Sequence, residues 1–365
     1  MSLPFIDLKS QYHQLKSDID QRIQRVLDHG QYILGPEVLE CEQALAKFTG
    51  SEYCITVASG TDALYMALLS VGVKPGDEVI VPAFSFFATA EVVALLNATP
   101  VFVDVQKNSF NMDPEKLEEA ISEKTKVIMP VSLYGQVADM DEINSIAKKH
   151  NLIVIEDAAQ SFGATYKGKR SCNLSDFGAT SFFPAKPLGC YGDGGAIFTN
   201  SKESYEQLIS IRNHGQEGRY HHVRLGINGR LDTLQCAVLL SKLSVYQEEI
   251  EKRQMAASYY TEKFQVMEGV QVPQLSDNRD SVWAQYTLRV KDRESFQKKM
   301  MELGVPTAVH YPSVLSEQPA LDGLSKVYNV EVAKKAAHEV VSLPMHPYLT
   351  PDVQDQVISA VEKCI

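Results

Sequence analysis

Residues 54–81 read CITVASGTDALYMALLSVGVKPGDEVIV, and this stretch decides the fold class. It contains a short apolar run, Cys54–Val57, a helical pattern over Asp62–Ser70, and a second apolar run, Glu78–Val81. A strand, a helix and a second strand in this order form a crossover unit, which connects parallel strands. The same alternation continues to about Asn200. It predicts an α/β protein with a mostly parallel sheet covered by helices on both faces.

Further strands and helices are predicted on both sides of the quoted stretch. Strands are expected at Thr99–Val103, Val127–Val131, Leu152–Ile155 and Ala196–Thr199. Apolar residues at helical spacing predict helices at Asp7–Asp28, Glu37–Phe48, Asp113–Ile121 and Met140–His150. These elements together account for a large α/β domain.

The last third of the chain predicts a smaller α+β domain. A long helical pattern over Leu231–Phe264 leads into it. The expected elements are a strand at Trp283–Val290, a helix at Arg293–Leu303, a strand at Thr307–Tyr311 and a helix after Pro351. We therefore predict a large domain over residues 1–250 and a small domain over residues 251–365.

The charge balance excludes several classes of partner. The 365 residues include 35 Lys and Arg against 46 Asp and Glu, which gives a net charge of -11. The phosphates of nucleic acids and of anionic membranes would repel such a chain, so neither is an expected partner. A membrane span needs about 18 consecutive apolar residues, and the sequence contains no such run.

Cysteine and histidine usage predicts a metal-free protein of a reducing compartment. The six cysteines include no CxxC pair, so no zinc knuckle is indicated. His221 and His222 have no third metal ligand nearby and are interpreted as surface residues. The segment Met1–Asp7 lacks the basic and apolar regions of a signal peptide. We expect a cytoplasmic protein.

The first motif that indicates a binding site is the turn Ser59-Gly60-Thr61, which follows a predicted strand. In an open parallel sheet, ligands bind at the carboxyl ends of the strands. A small turn that opens a helix presents free N–H groups to an anion, although a simple N-cap explains the same residues. The turn fits neither GxGxxG nor GxxxxGK[ST], which argues against a nicotinamide-dependent oxidoreductase and against a P-loop protein.

Two further strand ends carry polar or aromatic residues. Glu156 and Asp157 end an apolar run, and strand alternation should turn one of the two carboxylates toward a ligand. A helix cap is the alternative role for such a residue. The segment Pro82–Thr89 is rich in phenylalanine, which is usually core but also suits stacking on a planar group.

Lys186 lies in a turn between Pro184 and Pro187, with apolar neighbours and no adjacent acidic residue. Removal from water lowers the pKa of a lysine and makes its amine nucleophilic. An anion cradle, a carboxylate, an aromatic wall and a reactive lysine are together the requirements of pyridoxal 5'-phosphate (PLP). The phosphate needs the anion cradle, and the pyridine nitrogen needs the carboxylate. The ring needs the aromatic wall, and the aldehyde needs the lysine.

The motifs resemble those of the DegT/StrS family of PLP-dependent nucleotide-sugar aminotransferases. They are GQYILGPEV, SGTDAL, PAFSFFATAE, EDAAQSFGA, SFFPAKPLGCYGDGGA and PTAVHYP, and they extend over essentially the whole chain. The resemblance implies the fold type I of PLP-dependent transferases. It also implies a homodimer with shared active sites.

On the matching positions, the resemblance implies catalytic roles for Lys186 and Asp157. Lys186 would form the Schiff base with the cofactor aldehyde and carry protons, and Asp157 would pair with the ring nitrogen. Gln160 would contact the ring hydroxyl, and Phe86 would stack on the ring.

The phosphate and the substrate would be bound by residues from both subunits. The phosphate-binding set is Gly60, Thr61, Ser181 and, from the other subunit, Asn228. The substrate-binding set is Gly30, Tyr32, Ala185, Arg230, His310 and Tyr311. The family often has Ser or Thr at the position of Ala185, so a hydroxyl contact is lost there. Both residues also have a purely structural alternative. His310 would be a satisfied polar residue on a strand, and Arg230 would tie Asp232 or a helix end to the partner chain.

The implied reaction is a transamination in two halves. L-Glutamate would donate its amino group, which leaves pyridoxamine phosphate, and this form would aminate a ketone on a nucleotide sugar. The favoured acceptor is a UDP-linked 2-acetamido sugar acid with a ketone at C3, used for O-antigen synthesis. Alternatives are a 4-keto-6-deoxy nucleotide sugar as acceptor, a PLP-dependent sugar dehydratase, or a non-enzymatic sensor. Lys186 disfavours the dehydratase, in which histidine replaces this lysine, and no extra DNA-binding segment supports the sensor.

Overall fold

The structure of the chain is a computed structural model that describes residues 3–365. Met1 and Ser2, which begin the predicted large domain and the segment tested for a signal peptide, lie outside the described residues. The strands are β1 (Tyr53–Val57), β2 (Glu78–Pro82), β3 (Thr99–Val103), β4 (Thr125–Ile128), β5 (Ile153–Asp157), β6 (Thr165–Tyr166), β7 (Lys169–Arg170), β8 (Phe177–Ser181), β9 (Gly195–Thr199), β10 (Val270–Gln271), β11 (Tyr286–Val290), β12 (Lys326–Val327) and β13 (Val340–Leu343). The α-helices are α1 (Leu8–His29), α2 (Pro36–Thr49), α3 (Gly60–Ser70), α4 (Ala88–Leu95), α5 (Leu117–Ala120), α6 (Met140–His150), α7 (Lys202–Arg212), α8 (Thr233–Leu243), α9 (Tyr246–Phe264), α10 (Arg293–Glu302), α11 (Glu331–Glu339) and α12 (Pro351–Cys364).

The central sheet has eight strands in the order β1-β9-β8-β5-β4-β2-β3-β12. Neighbouring strands run parallel except for β9, which is antiparallel to both β1 and β8. This order confirms the predicted mostly parallel sheet. The carboxyl ends of the parallel strands lie along one edge, where polar loops can converge.

Helices cover both faces of this sheet because successive strand residues point to opposite sides. On β5, Ile155 belongs to a hydrophobic cluster that includes α3 and α4. Its neighbour Val154 belongs to a second cluster that includes α2, α6 and α8. Strands buried on both faces explain the near-continuous apolar runs in the sequence.

The C-terminal part of the chain has a core of its own. Residues of α9, α10 and α12 pack around the antiparallel sheet β10-β11-β13, in a cluster that extends from Ala256 to Cys364. Between these elements, β12 pairs with β3, and α11 packs against the central sheet. The predicted domain boundary at residue 250 falls inside α9, and the division into two domains remains a prediction.

Two predicted helices differ from the structure. The single helix expected over Leu231–Phe264 is divided into α8 and α9, and the break follows Ser244, whose hydroxyl donates to Ser241 O at 2.7 Å. A serine that bonds nearby backbone in this way competes with helical hydrogen bonding. The helix expected over Asp113–Ile121 is a 3₁₀ turn, Pro114–Lys116, followed by the short α5.

The strand expected at Thr307–Tyr311 is wrong. Only an isolated bridge from Ala308 to Ser342 forms there, and the flanking Pro306 and Pro312 cannot donate to a ladder. Conversely, β8 was not predicted, because its sequence FGATS has few large apolar residues. Position 178 of this strand must be glycine because Cys172 packs directly against it: a Cβ at Gly178 would lie 2.4 Å from Cys172 Cα.

Within residues 3–365, none of the helices combines the length and the apolar character that crossing a lipid bilayer requires.

Candidate active site

A cavity of about 510 Å³ lies where the carboxyl ends of the parallel strands meet. Its walls include residues that directly follow or end β1, β2, β5 and β8. Most of the predicted site residues line it: Gly60, Thr61, Phe86, Asp157, Gln160, Ser181, Ala185, Lys186, His310 and Tyr311. The topology therefore brings together segments that are up to about 250 residues apart in the chain.

Asp157 is the buried carboxylate of this cavity. Its Oδ2 accepts a hydrogen bond from Thr89 Oγ1 at 2.9 Å, and its Oδ1 accepts one from the N–H of Ala159 at 3.2 Å. Burial raises the pKa of Asp157, and the positive charge of Lys186 acts in the opposite direction. A carboxylate held in this way is suited to pair with a cationic N–H group of a ligand.

The adjacent Glu156 has a purely structural environment. Its carboxylate is completely buried and accepts hydrogen bonds from Ser132 Oγ, Ser171 Oγ and the N–H of Cys172, each at 2.8 Å. It does not line the cavity. Strand alternation thus sends one carboxylate to the ligand side and the other into the core.

Lys186 presents its amine in the same cavity as Asp157. Its backbone N–H donates to Phe183 O at 2.9 Å, which closes the turn that carries it. Among residues 3–365, no group forms a hydrogen bond or an ion pair with its Nζ. Burial lowers the pKa of Lys186, while Asp157 acts to raise it. A larger share of the amine is therefore the nucleophilic free base than for a surface lysine.

The first turn of α3 forms an anion cradle. The Ser59 hydroxyl caps the helix and accepts from the N–H of Asp62 at 3.0 Å, and the turn lies against Ser181 and Gly195. A Cβ on Gly60 would lie 2.6 Å from Ser181 Cβ, and one on Gly195 would lie 2.5 Å from Ser59 O. Only glycine permits such close approach. The N–H groups at a helix start and the nearby hydroxyls are ligands suited to phosphate.

Gln160 and Tyr311 line the cavity and are hydrogen-bonded to each other, and Tyr134 supports Gln160 from behind the cavity wall. The Gln160 side chain accepts from the N–H of Tyr134 at 2.7 Å and donates to Tyr311 OH at 3.1 Å. The ring of Tyr311 lies 6.0 Å from that of Phe86, whose side chain is 54% exposed. An exposed aromatic ring in a cavity wall offers a surface on which a planar ligand can stack.

His310 is a neutral hydrogen-bonding residue of the cavity. Its Nδ1 lies 3.0 Å from Ser342 Oγ, and its backbone carbonyl accepts from Tyr134 OH. Burial, helped by the nearby charge of Lys186, lowers the pKa of His310 to about 4. At neutral pH the imidazole therefore supplies hydrogen bonds and no positive charge.

Four predicted residues do not line the cavity of their own chain: Gly30, Tyr32, Asn228 and Arg230. Gly30 and Tyr32 lie on one surface segment, and Asn228 and Arg230 lie on another. The two segments are neighbours, since the carbonyl of Tyr32 accepts from the N–H of Thr233 at 2.9 Å. Arg230 donates to Asn213 Oδ1 at 2.6 Å. Within the described residues, it makes no ion pair with Asp232, but Asn213 caps the carboxyl end of α7, so both the structural role and the substrate-binding role of Arg230 remain predictions.

Sequence reasoning missed Phe5, which lines the cavity, and Thr89 and Tyr134, which hold cavity side chains in place. Thr89 orients Asp157, Tyr134 orients Gln160, and Phe5 approaches His310 with 6.3 Å between ring centroids. No spacing or composition signal marks these residues, because each partner is distant in sequence. Thr89 lies within the phenylalanine-rich segment, where the aromatic residues drew attention instead.

Residues 3–365 contain no group of three or more His, Cys, Asp or Glu side chains that could hold a metal ion. The cavity does fit PLP. It combines a buried carboxylate, an amine that has no partner among the described residues, an exposed ring and a helix start that can bind phosphate. Fold and site together define a PLP-dependent transferase of fold type I.

Comparison with known proteins supports this class and gives the family. The sequence model that describes the DegT/DnrJ/EryC1/StrS aminotransferase family matches residues 13–362 of this chain. The chain belongs to this family and is a PLP-dependent aminotransferase, as the sequence motifs predicted.

Three relatives show that the chain is similar to known aminotransferases over nearly its whole length. The UDP-2-acetamido-2-deoxy-3-oxo-D-glucuronate aminotransferase of Pseudomonas aeruginosa is 57% identical over 95% of this chain and 96% of its own. The crystal structure of a DegT/DnrJ/EryC1/StrS aminotransferase from Brucella abortus is 42% identical, with a TM-score of 0.96 and coverage of 99% of both chains. The structure of NtdA from Bacillus subtilis, which has its cofactor PMP bound, is 33% identical, with a TM-score of 0.92 and coverage of 100% of this chain and 85% of that one.

Proposed function

We propose that this aminotransferase moves an amino group from L-glutamate to the C3 ketone of UDP-linked 2-acetamido-2-deoxy-3-oxo-D-glucuronic acid. The product would be a 3-amino sugar acid for O-antigen or related polysaccharide synthesis. The observation that carries the reaction type is the cavity that joins Lys186, Asp157 and the α3 turn. The choice of sugar is supported by the 57% identity to an enzyme named for this substrate.

In the proposed mechanism, bound PLP supplies an aldehyde that accepts the amino group and a ring that stabilises negative charge. Asp157 holds a proton on the ring nitrogen, and Thr89 keeps its carboxylate in place. Lys186 would move the proton between the cofactor carbon and the substrate carbon, since its Nζ has no hydrogen-bond or ion-pair partner within residues 3–365 and burial lowers its pKa. Gly60, Thr61 and Ser181 bind the phosphate, and Phe86 and Gln160 bind the ring.

The working unit is proposed to be a homodimer with shared sites. Among the described residues that line the cavity, Lys186 is the only Lys or Arg. A nucleotide diphosphate and a sugar carboxylate therefore find few cations within one chain. The segments that hold Gly30, Tyr32, Asn228 and Arg230 would enter the partner's site and supply the missing contacts.

The surface near these segments has the character of an interface. Tyr220 is 79% exposed and Leu225 is 89% exposed, although both side chains are large and apolar. Ile33 and Leu34 are also exposed on the neighbouring segment. Several large apolar side chains exposed near these segments support a contact with another chain.

A reducing cytoplasm is the proposed location. All six cysteines are free and buried, and none forms a disulfide. Free thiols persist in reducing compartments.

A panel of keto sugars tests the proposed substrate. We expect rapid amination of the UDP-linked 3-keto uronic acid with glutamate, slower reaction of the neutral UDP-linked 3-keto hexose, and least reaction of a dTDP-linked 4-keto-6-deoxy sugar. Product mass and the position of the new amine are the measurements. Preference for the 4-keto-6-deoxy sugar would overturn the assignment in favour of the alternative acceptor.

Arg230→Ala tests how the carboxylate is recognised. A planar guanidinium that pairs with a carboxylate contributes about 2–5 kcal/mol on truncation, so kcat/KM for the uronic acid should fall by about 100-fold or more. The neutral hexose should lose much less. Arg230→Lys, which keeps the charge but not the planar fork, should lie between wild type and Arg230→Ala. Equal losses for acidic and neutral sugars would show that Arg230 is structural.

A further inference from the structure

Residues 183–194, here called the lysine loop, hold Lys186 in a tightly closed turn. Two backbone hydrogen bonds close its base, from the N–H of Phe182 to Gly194 O at 2.7 Å and from the N–H of Cys190 to Phe182 O at 2.8 Å. A Cβ on Gly189 would lie 2.6 Å from Phe183 O, so Gly189 packs directly on the turn that carries Lys186. A shift of Gly189 would therefore move the reactive lysine.

One face of helix α8 contacts this part of the loop. Gln235 and Lys242 are seven residues apart on α8, and this spacing places them on the same side of a helix. The side chain of Gln235 accepts from the N–H of Tyr191 at 2.8 Å and donates to Tyr191 O at 3.2 Å. Gly192 permits this approach, because a Cβ there would lie 3.0 Å from Gln235 Nε2.

Lys242 makes the second contact and is completely buried. Its Nζ donates to Gly189 O at 2.6 Å and lies 4.2 Å from the centre of the Tyr191 ring. Within residues 3–365, no carboxylate forms an ion pair with it. Burial lowers the pKa of Lys242 to about 8, and the neighbouring Cys190 and Glu249 act to raise it.

A buried ammonium group without a carboxylate partner is costly and rare. A methionine of similar length would fill the same space without that cost. The two contacts of the ammonium group, the Gly189 carbonyl and the Tyr191 ring, explain why a lysine occupies this position. Both contacts belong to the lysine loop. Nothing else in the reaction uses Lys242, since it does not line the cavity.

We propose that Lys242 and Gln235 are positioning residues, which hold the lysine loop so that Lys186 Nζ meets the reacting carbon of the substrate. The inference rests on the proposed role of Lys186. Displacement of a catalytic group by about 1 Å can cost on the order of 100-fold in rate without loss of binding. The two residues therefore act on kcat through the loop and leave KM nearly unchanged.

Lys242→Met in the cofactor-loaded enzyme is the direct test. We expect kcat to fall about 10- to 100-fold, with KM for glutamate and for the keto sugar within about twofold of wild type. The visible circular dichroism of the bound cofactor should also change, because it reports how the group attached to Lys186 is oriented. Val238→Ala is the matched control, since Val238 lies on α8 but packs against Leu15 and Ile19 of α1. It should lower thermal stability and leave both readouts unchanged.

Substitutions at Tyr191 separate the ring contact from general destabilisation. Tyr191→Phe keeps the aromatic face and should retain wild-type kcat, whereas Tyr191→Leu should lower kcat as Lys242→Met does. Tyr191→Leu and Gln235→Leu also answer the question if Lys242→Met does not fold. Wild-type kcat and dichroism in the folded variants would overturn the inference. Full activity of Lys186→Ala would instead overturn the proposed role of Lys186, so the two failures are distinguishable.

Discussion

At the scale of single residues, the adjacent carboxylates of Glu156 and Asp157 show that the surroundings of a side chain determine what it can do. Glu156 accepts hydrogen bonds from three donors in the core and has no access to the cavity. Within residues 3–365, the carboxylate of Asp157 accepts only from Thr89 Oγ1 and one backbone N–H, and the Lys186 amine in the same cavity has no partner. Asp157 and Lys186 are therefore available for a ligand, while Glu156 contributes to stability.

Lys186→Ala is expected to lower turnover by about 10³-fold or more, because a positioned proton carrier typically contributes about 10²–10⁴-fold. The variant should still bind PLP non-covalently through the α3 turn and Asp157. Borohydride reduction followed by mass spectrometry should leave the cofactor attached to the wild type and not to the variant. Lys167→Ala is a control, since Lys167 is exposed and pairs with Asp141 on the surface. Normal turnover of Lys186→Ala would be incompatible with the proposed mechanism.

At the scale of secondary-structure elements, the site depends on contact between the start of α3 and the start of β9. Gly195 leaves no side chain between these two backbones, because a Cβ there would lie 2.5 Å from Ser59 O, and Gly60 allows the same turn to pack against Ser181 at the end of β8. Strand β9 is the antiparallel strand of the sheet, so its beginning, and not its end, lies beside the cavity. One reversed strand thereby brings residues 193–195 to the ligand edge.

Gly195→Ala is expected to weaken PLP binding about 10- to 100-fold. The added Cβ would overlap Ser59 O, and loss of a hydrogen bond to a charged phosphate costs about 1.5–3 kcal/mol. Titration of the apoenzyme with PLP measures the effect. Gly178 lies on the neighbouring β8, and Gly178→Ala creates a similar clash with Cys172. This variant should lower thermal stability with little effect on PLP affinity. Equal PLP affinity of Gly195→Ala and wild type would argue against the α3 turn as the phosphate site.

At the scale of the whole molecule, the cavity of one chain holds most of the predicted cofactor residues, but Lys186 is the only Lys or Arg among its described lining residues. The surface segments around Gly30 and Asn228 carry the remaining predicted residues, and they lie beside exposed apolar side chains. A second copy of the chain can supply these residues to the first in a symmetric dimer.

Mixed dimers of two inactive variants test the shared site. Lys186→Ala lacks the proton carrier, and Asn228→Ala lacks the residue proposed to reach the partner's phosphate. A hybrid dimer has one site with both defects and one intact site, so mixing the proteins should restore part of the activity. Measured turnover after verified subunit exchange is the readout, and unmixed proteins are the control. A mixture that stays inactive would mean that each site is built from one chain.

The sequence by itself determined the α/β class, most elements of the central sheet and the set of groups that PLP requires. Apolar periodicity and turn residues are local properties, so β3 and α6 have the bounds that were predicted. The motifs at strand ends were also recognisable because a parallel sheet gathers the carboxyl ends of its strands at one edge. For this reason Gly60, Asp157 and Lys186 could be selected before their distances were known.

Only the tertiary structure decided how these groups are held. Thr89 is 68 residues from Asp157, and Lys242 is 53 residues from Gly189. Nothing in the local sequence of either partner predicts such a pair. Packing selects these contacts, because buried polar groups must find partners wherever the fold places them.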